Sequence, residues 1–149
     1  MSVKTICNRQ VIIAESNASI QEIAKLMREY HVGNVVIVEE QQGLRFPIGI
    51  LTDRDIIIEL VAKGADLTSV TAGDVMSTEI FNANEEDDMI DTIKQMRSRG
   101  IRRMPVVDKQ GALVGIVALD DLLDLLAEQL KDLADLIGKE QNREQRVRS

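Results

Sequence analysis

The 149-residue chain has no Trp, one Tyr, two Phe, one Cys, one His and two Pro. Each scarcity excludes something. A single cysteine, Cys7, rules out an intrachain disulfide and reads as a small buried residue or the wall of a ligand pocket. One histidine and one cysteine leave no Ser-His-Asp or Cys-His pairing to build a nucleophile on. No apolar run reaches membrane-spanning length, and the N-terminus lacks a signal-like stretch. Positive charge is also short, 18 Lys and Arg against 25 Asp and Glu. The resulting net charge of −7 argues against a nucleic acid or an anionic membrane as main partner. The expectation is a cytoplasmic protein that is not an enzyme.

What is present is aliphatic: 44% of residues are hydrophobic, mostly Ile, Val, Leu, Ala and Met. They are arranged in an internal duplication. Shifted by 69 residues, residues 6–39 fall on 75–108, pairing Ala14 with Ala83, Lys25 with Lys94, Met27 with Met96 and Arg28 with Arg97. The offset then becomes 66, so Gly49, Ile50 and Asp55 fall on Gly115, Ile116 and Asp121. Copy one therefore carries three extra residues in the turn around residues 40–46. The expected boundaries are residues 1–65 for the first repeat, 66–72 for a linker and 73–127 for the second repeat. Residues 128–149 are left as a helical extension and polar tail.

Each copy reads β-α-β-β-α. Ser19 starts a helix to Tyr30, ended by Gly33. Val35–Val38 is a strand covered on both faces, residues 46–51 a second strand, and residues 53–62 a helix stopped by Gly64. In copy two, residues 87–99 form the helix and residues 104–107 the strand. Pro105 within that strand implies an edge position or a local break in pairing. Residues 113–117 form the next strand. From Leu119 the last helix carries Leu at helical spacing beyond the end of the repeat, as for a helix packed on a second subunit. The polar sequence from Lys139 is expected to fray.

The most informative stretch is residues 49–55, Gly-Ile-Leu-Thr-Asp-Arg-Asp, which returns as residues 115–121. It delivers a strand end to the first turn of a helix, where free N–H groups and the helix dipole suit an anion. An aspartate one turn in can accept hydrogen bonds from a sugar diol. Thr52-x-x-Asp55 is also close to a capping box. His31 reads as a surface or helix-end residue, and Asp120, Asp121 and Asp124 as dipole and capping groups rather than magnesium ligands. No metal site and no catalytic residue are expected.

With the repeated Gly-Ile-x-Thr-x-x-Asp, the phrase Gly-Ile-Arg-Arg-Met-Pro-Val-Val-Asp at residues 100–108 and Gly-Asp-Val-Met at 73–76, the chain resembles a tandem pair of CBS domains, the Bateman module, of the stand-alone bacterial type. The resemblance covers residues 5–127. It implies an α/β (α+β) fold of two pseudo-symmetric repeats packed sheet to sheet, helices outside, with a long C-terminal helix. It further implies a regulatory module binding adenosine-containing ligands (AMP, ADP, ATP, NAD(H) or S-adenosylmethionine) in two clefts between the repeats, and needing no cofactor. The ribose residues would be Asp55 with Thr52 in one cleft and Asp121 in the other, where Ala118 replaces the hydroxyl. Phosphate would meet Arg102, Arg103 and Arg54; copy one has Gly33 and Asn34 where copy two has the two strand arginines. Adenine would lie against Cys7, Asn8 and Val11 in the Asp121 cleft, and against Ser77, Thr78 and Ile80 in the Asp55 cleft. A homodimer and a separate regulated protein are the implied partners. The alternative is a structural or interaction module that keeps the fold without a physiological ligand.

Overall fold

A computed structural model describes residues 1–148. It divides into two compact units, residues 1–117 and the residues from Ala118 onward.

The first unit holds two three-stranded sheets. Sheet one is β1 (Ile13–Glu15), β2 (Asn34–Gln41) and β3 (Leu44–Thr52); sheet two is β4 (Ala83–Asn84), β5 (Arg103–Val107) and β6 (Leu113–Ala118). Between them run α1 (Ile20–Tyr30), α2 (Asp53–Ile56), α3 (Ala72–Val75) and α4 (Met89–Arg99). β1 pairs parallel with β2, and β2 antiparallel with β3. A two-residue turn joins β2 to β3, with Gln42 and Gly43 both at positive φ (53° and 77°), the geometry that matches the strand twist. The register slips between Ile37 and Val38, beside Pro47, whose missing N–H is tolerated at such a bulge.

Alternation along β2 explains the layers. Val35 and Ile37 join Ile20, Ile23 and Met27 of α1 and Leu51 in one core cluster. Val36 and Val38 point the other way and meet Ile116 of the second sheet. Both faces of the strand are thus buried, as its continuous β-branched run implies.

α1 opens with a capping box: Ser19 Oγ accepts from Glu22 N at 3.2 Å, and Glu22 Oε2 accepts from Ser19 N at 3.1 Å. It ends at Tyr30, as expected, but is not closed by the glycine. The left-handed residue is His31 (φ 55°), not Gly33. The copy-two counterpart of His31 is Gly100, which ends α4 in the same conformation at φ 66°.

Pro105 is another departure. β5 is the middle strand of its sheet, so the edge reading fails and the local break holds. In copy one, Ile13 pairs with Val36, and Val36 N donates to Ile12 O at 3.0 Å. Pro105 stands at the equivalent place and has no N–H to give. The parallel ladder of copy two accordingly begins one step later, with Ala83 opposite Val106.

The segments that open the two copies are exchanged. Val3 N and Lys4 N donate to Asp87 O and Glu85 O, while Ala72 N and Gly73 N donate to Ala18 O and Ser16 O. Further along, Asn8 bridges to Ile116 and Ser77 to Ile50. Each bond has its counterpart at the repeat offset, the mark of a pseudo-twofold axis. The glycines at those crossings have a steric reason. A Cβ on Gly115 would stand 2.8 Å from Cys7 Sγ and 2.9 Å from Asn8 O; one on Gly49 would meet Met76 Sδ at 2.5 Å and Ser77 O at 3.1 Å.

The second unit is α5 (Leu119–Arg148), 30 residues long. The helix runs through the polar stretch from Lys139 that was expected to fray. Lys, Glu, Gln and Arg are good helix formers, and an ion pair between Glu144 and Arg148 lies at i,i+4.

Candidate functional site

The strand–helix junction at residues 49–55 does form. Thr52 Oγ1 accepts from Asp55 N at 3.1 Å, and Asp55 Oδ2 accepts from Thr52 N at 3.0 Å. The capping box is real, and it orients the carboxylate: Oδ2 is held by the backbone, while Oδ1 takes no hydrogen bond from any described residue.

The expectation of free N–H groups for an anion is not met. Asp53 N donates to Gly33 O at 3.0 Å, Arg54 N to Asp53 Oδ1 at 2.8 Å, and Asp55 N to Thr52. A backbone carbonyl, a carboxylate and a hydroxyl of the chain itself thus take the first three N–H groups of this turn, which leaves none of them for a phosphate.

Beyond Ile56 the helix widens into a π turn over Ile57–Val61, with Ala62 N donating to Ile57 O at 2.9 Å. Such turns are often found at functional sites. Here Glu59 and Lys63 are brought to the rim of a cleft of about 430 Å³, which Asp55, Leu60, Asp74, Val75 and Ser77 also line. Glu59 and Lys63 form an ion pair of 2.8 Å. With the lysine so paired, Asp55 and Asp74 leave the cleft acidic. Hydrogen bonds from Thr71, backbone first and then side chain, hold the Asp74 carboxyl below the ordinary 3.8.

Of the residues singled out in the sequence, Asp55 and Ser77 share this cleft, and Thr52 is tied to it through the capping box. Arg54, Arg102, Arg103, Thr78 and Ile80 are not part of its lining. Arg102 and Arg103 stand at the entrance to β5, the first exposed and the second half-buried. Asp121 is exposed in the first turn of α5. Cys7 and Asn8 pack against β6 at Gly115 and Ile116. Burial pushes the Cys7 thiol up despite the positive charge of Arg9, so it is no activated thiolate. Val11 lines a smaller cleft of about 120 Å³ with Ile13, Leu113, Val114 and two arginines, Arg9 and Arg45.

Sequence reasoning missed Glu59, Lys63, Arg9 and Arg45. The first two sit at i,i+4 one turn beyond Asp55, a spacing that was legible. Arg45 belongs to the three-residue insertion of copy one, where the repeat offers no counterpart to compare. Among the described residues, no three His, Cys, Asp or Glu side chains gather as a metal-ligand set, and no helix is long and apolar enough to cross a membrane.

Two crossed copies of one β-α-β-β-α unit, each with a strand delivering Gly-Ile to a helix that carries an aspartate, define a tandem paired module. The chain belongs to the CBS domain family, whose model matches residues 3–62 and again 72–128. It is 43% identical over 121 residues to the CBS domain-containing protein YhcV of Bacillus subtilis, covering 81% of this chain and 82% of that one. It is 39% identical over 125 residues to the uncharacterized protein MK0525 of Methanopyrus kandleri, covering 84% of this chain but only 62% of that protein's length. Among solved structures it is similar to the CBS domain pair of protein MJ0100 in complex with 5′-methylthioadenosine and S-adenosyl-L-methionine. The TM-score there is 0.75 at 29% identity, covering 87% of this chain and 98% of that one.

Proposed function

We propose that this protein is a non-catalytic, ligand-sensing CBS pair that binds an adenosine-containing small molecule and works as a homodimer to regulate another protein. The observation that carries the reading is Asp55: a carboxylate with one oxygen fixed by the backbone and the other unbonded, lining a cleft that also receives Ser77 from the opposite copy's opening segment. A sugar diol donates two hydrogen bonds and wants such an acceptor.

The charge of the lining narrows the ligand. Asp55, Glu59 and Asp74 against one Lys63 repel a phosphate chain and tolerate a neutral or sulfonium nucleoside. Methylthioadenosine and S-adenosylmethionine, the ligands in the MJ0100 complex, have that character. For phosphorylated adenosines, the Arg9–Arg45 cleft offers the matching charge; Arg54, Arg102 and Arg103 remain proposed phosphate contacts on the resemblance alone. Asp121 is proposed as the second ribose residue on the same ground.

A second reading has the capping box in its favour, because Thr52 and Asp55 already have a structural task. Thermal shift separates the two, since a ligand that binds only the native state raises its apparent stability. We expect methylthioadenosine or S-adenosylmethionine to raise Tm, and isothermal titration to show Asp55→Ala weakening that ligand at least tenfold. A charged hydrogen bond is worth about 1.5–3 kcal/mol. No shift with any adenosine derivative would leave the structural module as the function.

A further inference from the structure

We propose that the cleft between Arg9 and Arg45 is an anion site that takes a phosphate group, free or as a monoester. The inference carries the charge match noted above from adenosine phosphates to the phosphate itself, and it does not depend on Asp55.

The cleft measures about 120 Å³ and is lined by Arg9, Val11, Ile13, Arg45, Leu113 and Val114, with no acid among them. Sites for whole small molecules run to about 300–1,000 Å³. This one has room for a single tetrahedral anion and a short stem. Neither arginine forms an ion pair or a side-chain hydrogen bond with any described residue, on a chain with 25 acids to 18 Lys and Arg. Glu40 stands opposite Arg45 in the register of β2 and β3, and still the two do not pair. Two unpaired guanidinium groups lining one cleft repel each other, and a doubly charged anion between them reverses the sign of that interaction. A carboxylate is satisfied by one guanidinium fork, whereas the further oxygens of a phosphate engage a second.

The scaffold beneath the pair is fixed. Asn8 exchanges two backbone hydrogen bonds with Ile116, and Asn8 Oδ1 accepts from Gln10 N at 2.9 Å, which turns the chain at Arg9. Val11, Ile13 and Leu113 pack on the core cluster of Val36, Val38 and Ile116. Both arginines are exposed, so their side chains alone have to become ordered around an anion.

The duplication supplies an internal control. At the repeat offsets Arg9 falls on Thr78, Val11 on Ile80, Leu113 on Pro47 and Val114 on Ile48, while Arg45 lies in the insertion. Ser77 bridges to Ile50 there as Asn8 bridges to Ile116 here. The same crossing is therefore built once with neither arginine, and the architecture does not require the pair.

The test is isothermal titration of the full chain with sodium phosphate at constant ionic strength, repeated with AMP and with adenosine. Phosphate should bind once per chain, in the millimolar range or tighter. Arg9→Gln and Arg45→Gln, both at exposed positions, should keep the wild-type circular dichroism. Each should weaken phosphate about tenfold, as expected for one lost hydrogen bond to a charged group. Arg28→Gln, exposed on α1, should change nothing. Asp55→Ala, which weakens the nucleoside under the function proposed above, should leave phosphate binding intact. Loss of phosphate in that variant would move the anion to the Asp55 cleft and refute the assignment. No binding of phosphate, or binding undiminished in both arginine variants, would refute it too, whatever methylthioadenosine does at Asp55. Displacement of phosphate by AMP but not by adenosine, in the Asp55→Ala chain, would identify a monoester as the occupant. Phosphate binding that AMP leaves untouched would identify the free anion.

Discussion

Replacing Gly115 by alanine tests the crossed architecture at its tightest point. The new methyl carbon would stand 2.8 Å from Cys7 Sγ, 2.9 Å from Asn8 O and 3.3 Å from Cys7 Cβ. The thiol can rotate away, but the carbonyl cannot, because Asn8 is held to β6 by a reciprocal pair. Asn8 N donates to Ile116 O at 2.8 Å, and Ile116 N donates to Asn8 O at 2.9 Å. Overpacking costs about 1–3 kcal/mol, and weakening two backbone hydrogen bonds adds about 1 kcal/mol. The expected loss is about 2–4 kcal/mol, which lowers Tm by roughly 4–16 °C at this chain length. Gly49→Ala should cost less, since its nearest obstacle is the flexible Met76 side chain. Gly138→Ala is the control: nothing lies within 4 Å of its added methyl, and alanine in a helix interior is favoured by about 1 kcal/mol. Thermal unfolding by circular dichroism reads all three. If Gly115→Ala melts with the wild type, the opening segment does not lie on β6 as described, and the steric argument for both repeat glycines is wrong.

Three further outcomes follow from local geometry. Asp55→Asn keeps an acceptor for Thr52 N but loses the charge, so it should hold Tm while weakening ligand; Asp55→Ala should lose about 1 kcal/mol of stability as well. His31→Gly should stabilise by about 0.5–1 kcal/mol and Gly100→His destabilise by a similar amount, both read by urea unfolding, because each position is left-handed. Asp66 and Asp74 both have folded pKa values below 3.8, from hydrogen bonds with Thr68 and Thr71 respectively. They bind fewer protons folded than unfolded, so their contribution is present above 3.8 and lost as pH falls through the lower folded value. The acid limb of a Tm–pH curve should be blunted in the Asp66→Asn, Asp74→Asn double variant.

How much was legible depended on whether the relevant physics was local and repeated. The duplication, the two-faced strand at Val35–Val38 and the break at Pro105 were readable because periodicity and a missing N–H speak in one dimension. The helix end at Tyr30 and His31 was readable too, but the left-handed turn at His31 was not, since a side chain in that region looks like any other polar residue beside an obvious Gly33. The strand–helix turn at Thr52 was read correctly as a cap and wrongly as an anion cradle. Gly33 O, which takes the Asp53 N–H, comes from a loop 20 residues away and leaves no trace in the motif itself. The π turn and the convergence of Arg9 with Arg45 likewise depend on packing that no short spacing encodes.

The exchanged opening segments have a consequence for how the halves depend on each other. A chain holding one copy, with its own opening segment attached, could not lay that segment on its own sheet in the observed way. It would have to lend it to a neighbour and borrow one back. Joining two copies end to end turns that loan into an internal exchange at the effective concentration of a tether, independent of how dilute the protein is. Damage then travels the same route. Clipping the first ten residues would spare the copy they precede and uncover the distant one, stripping β6 and the start of α4 of backbone partners. Along this chain, the residues nearest in sequence are not those that stand or fall together.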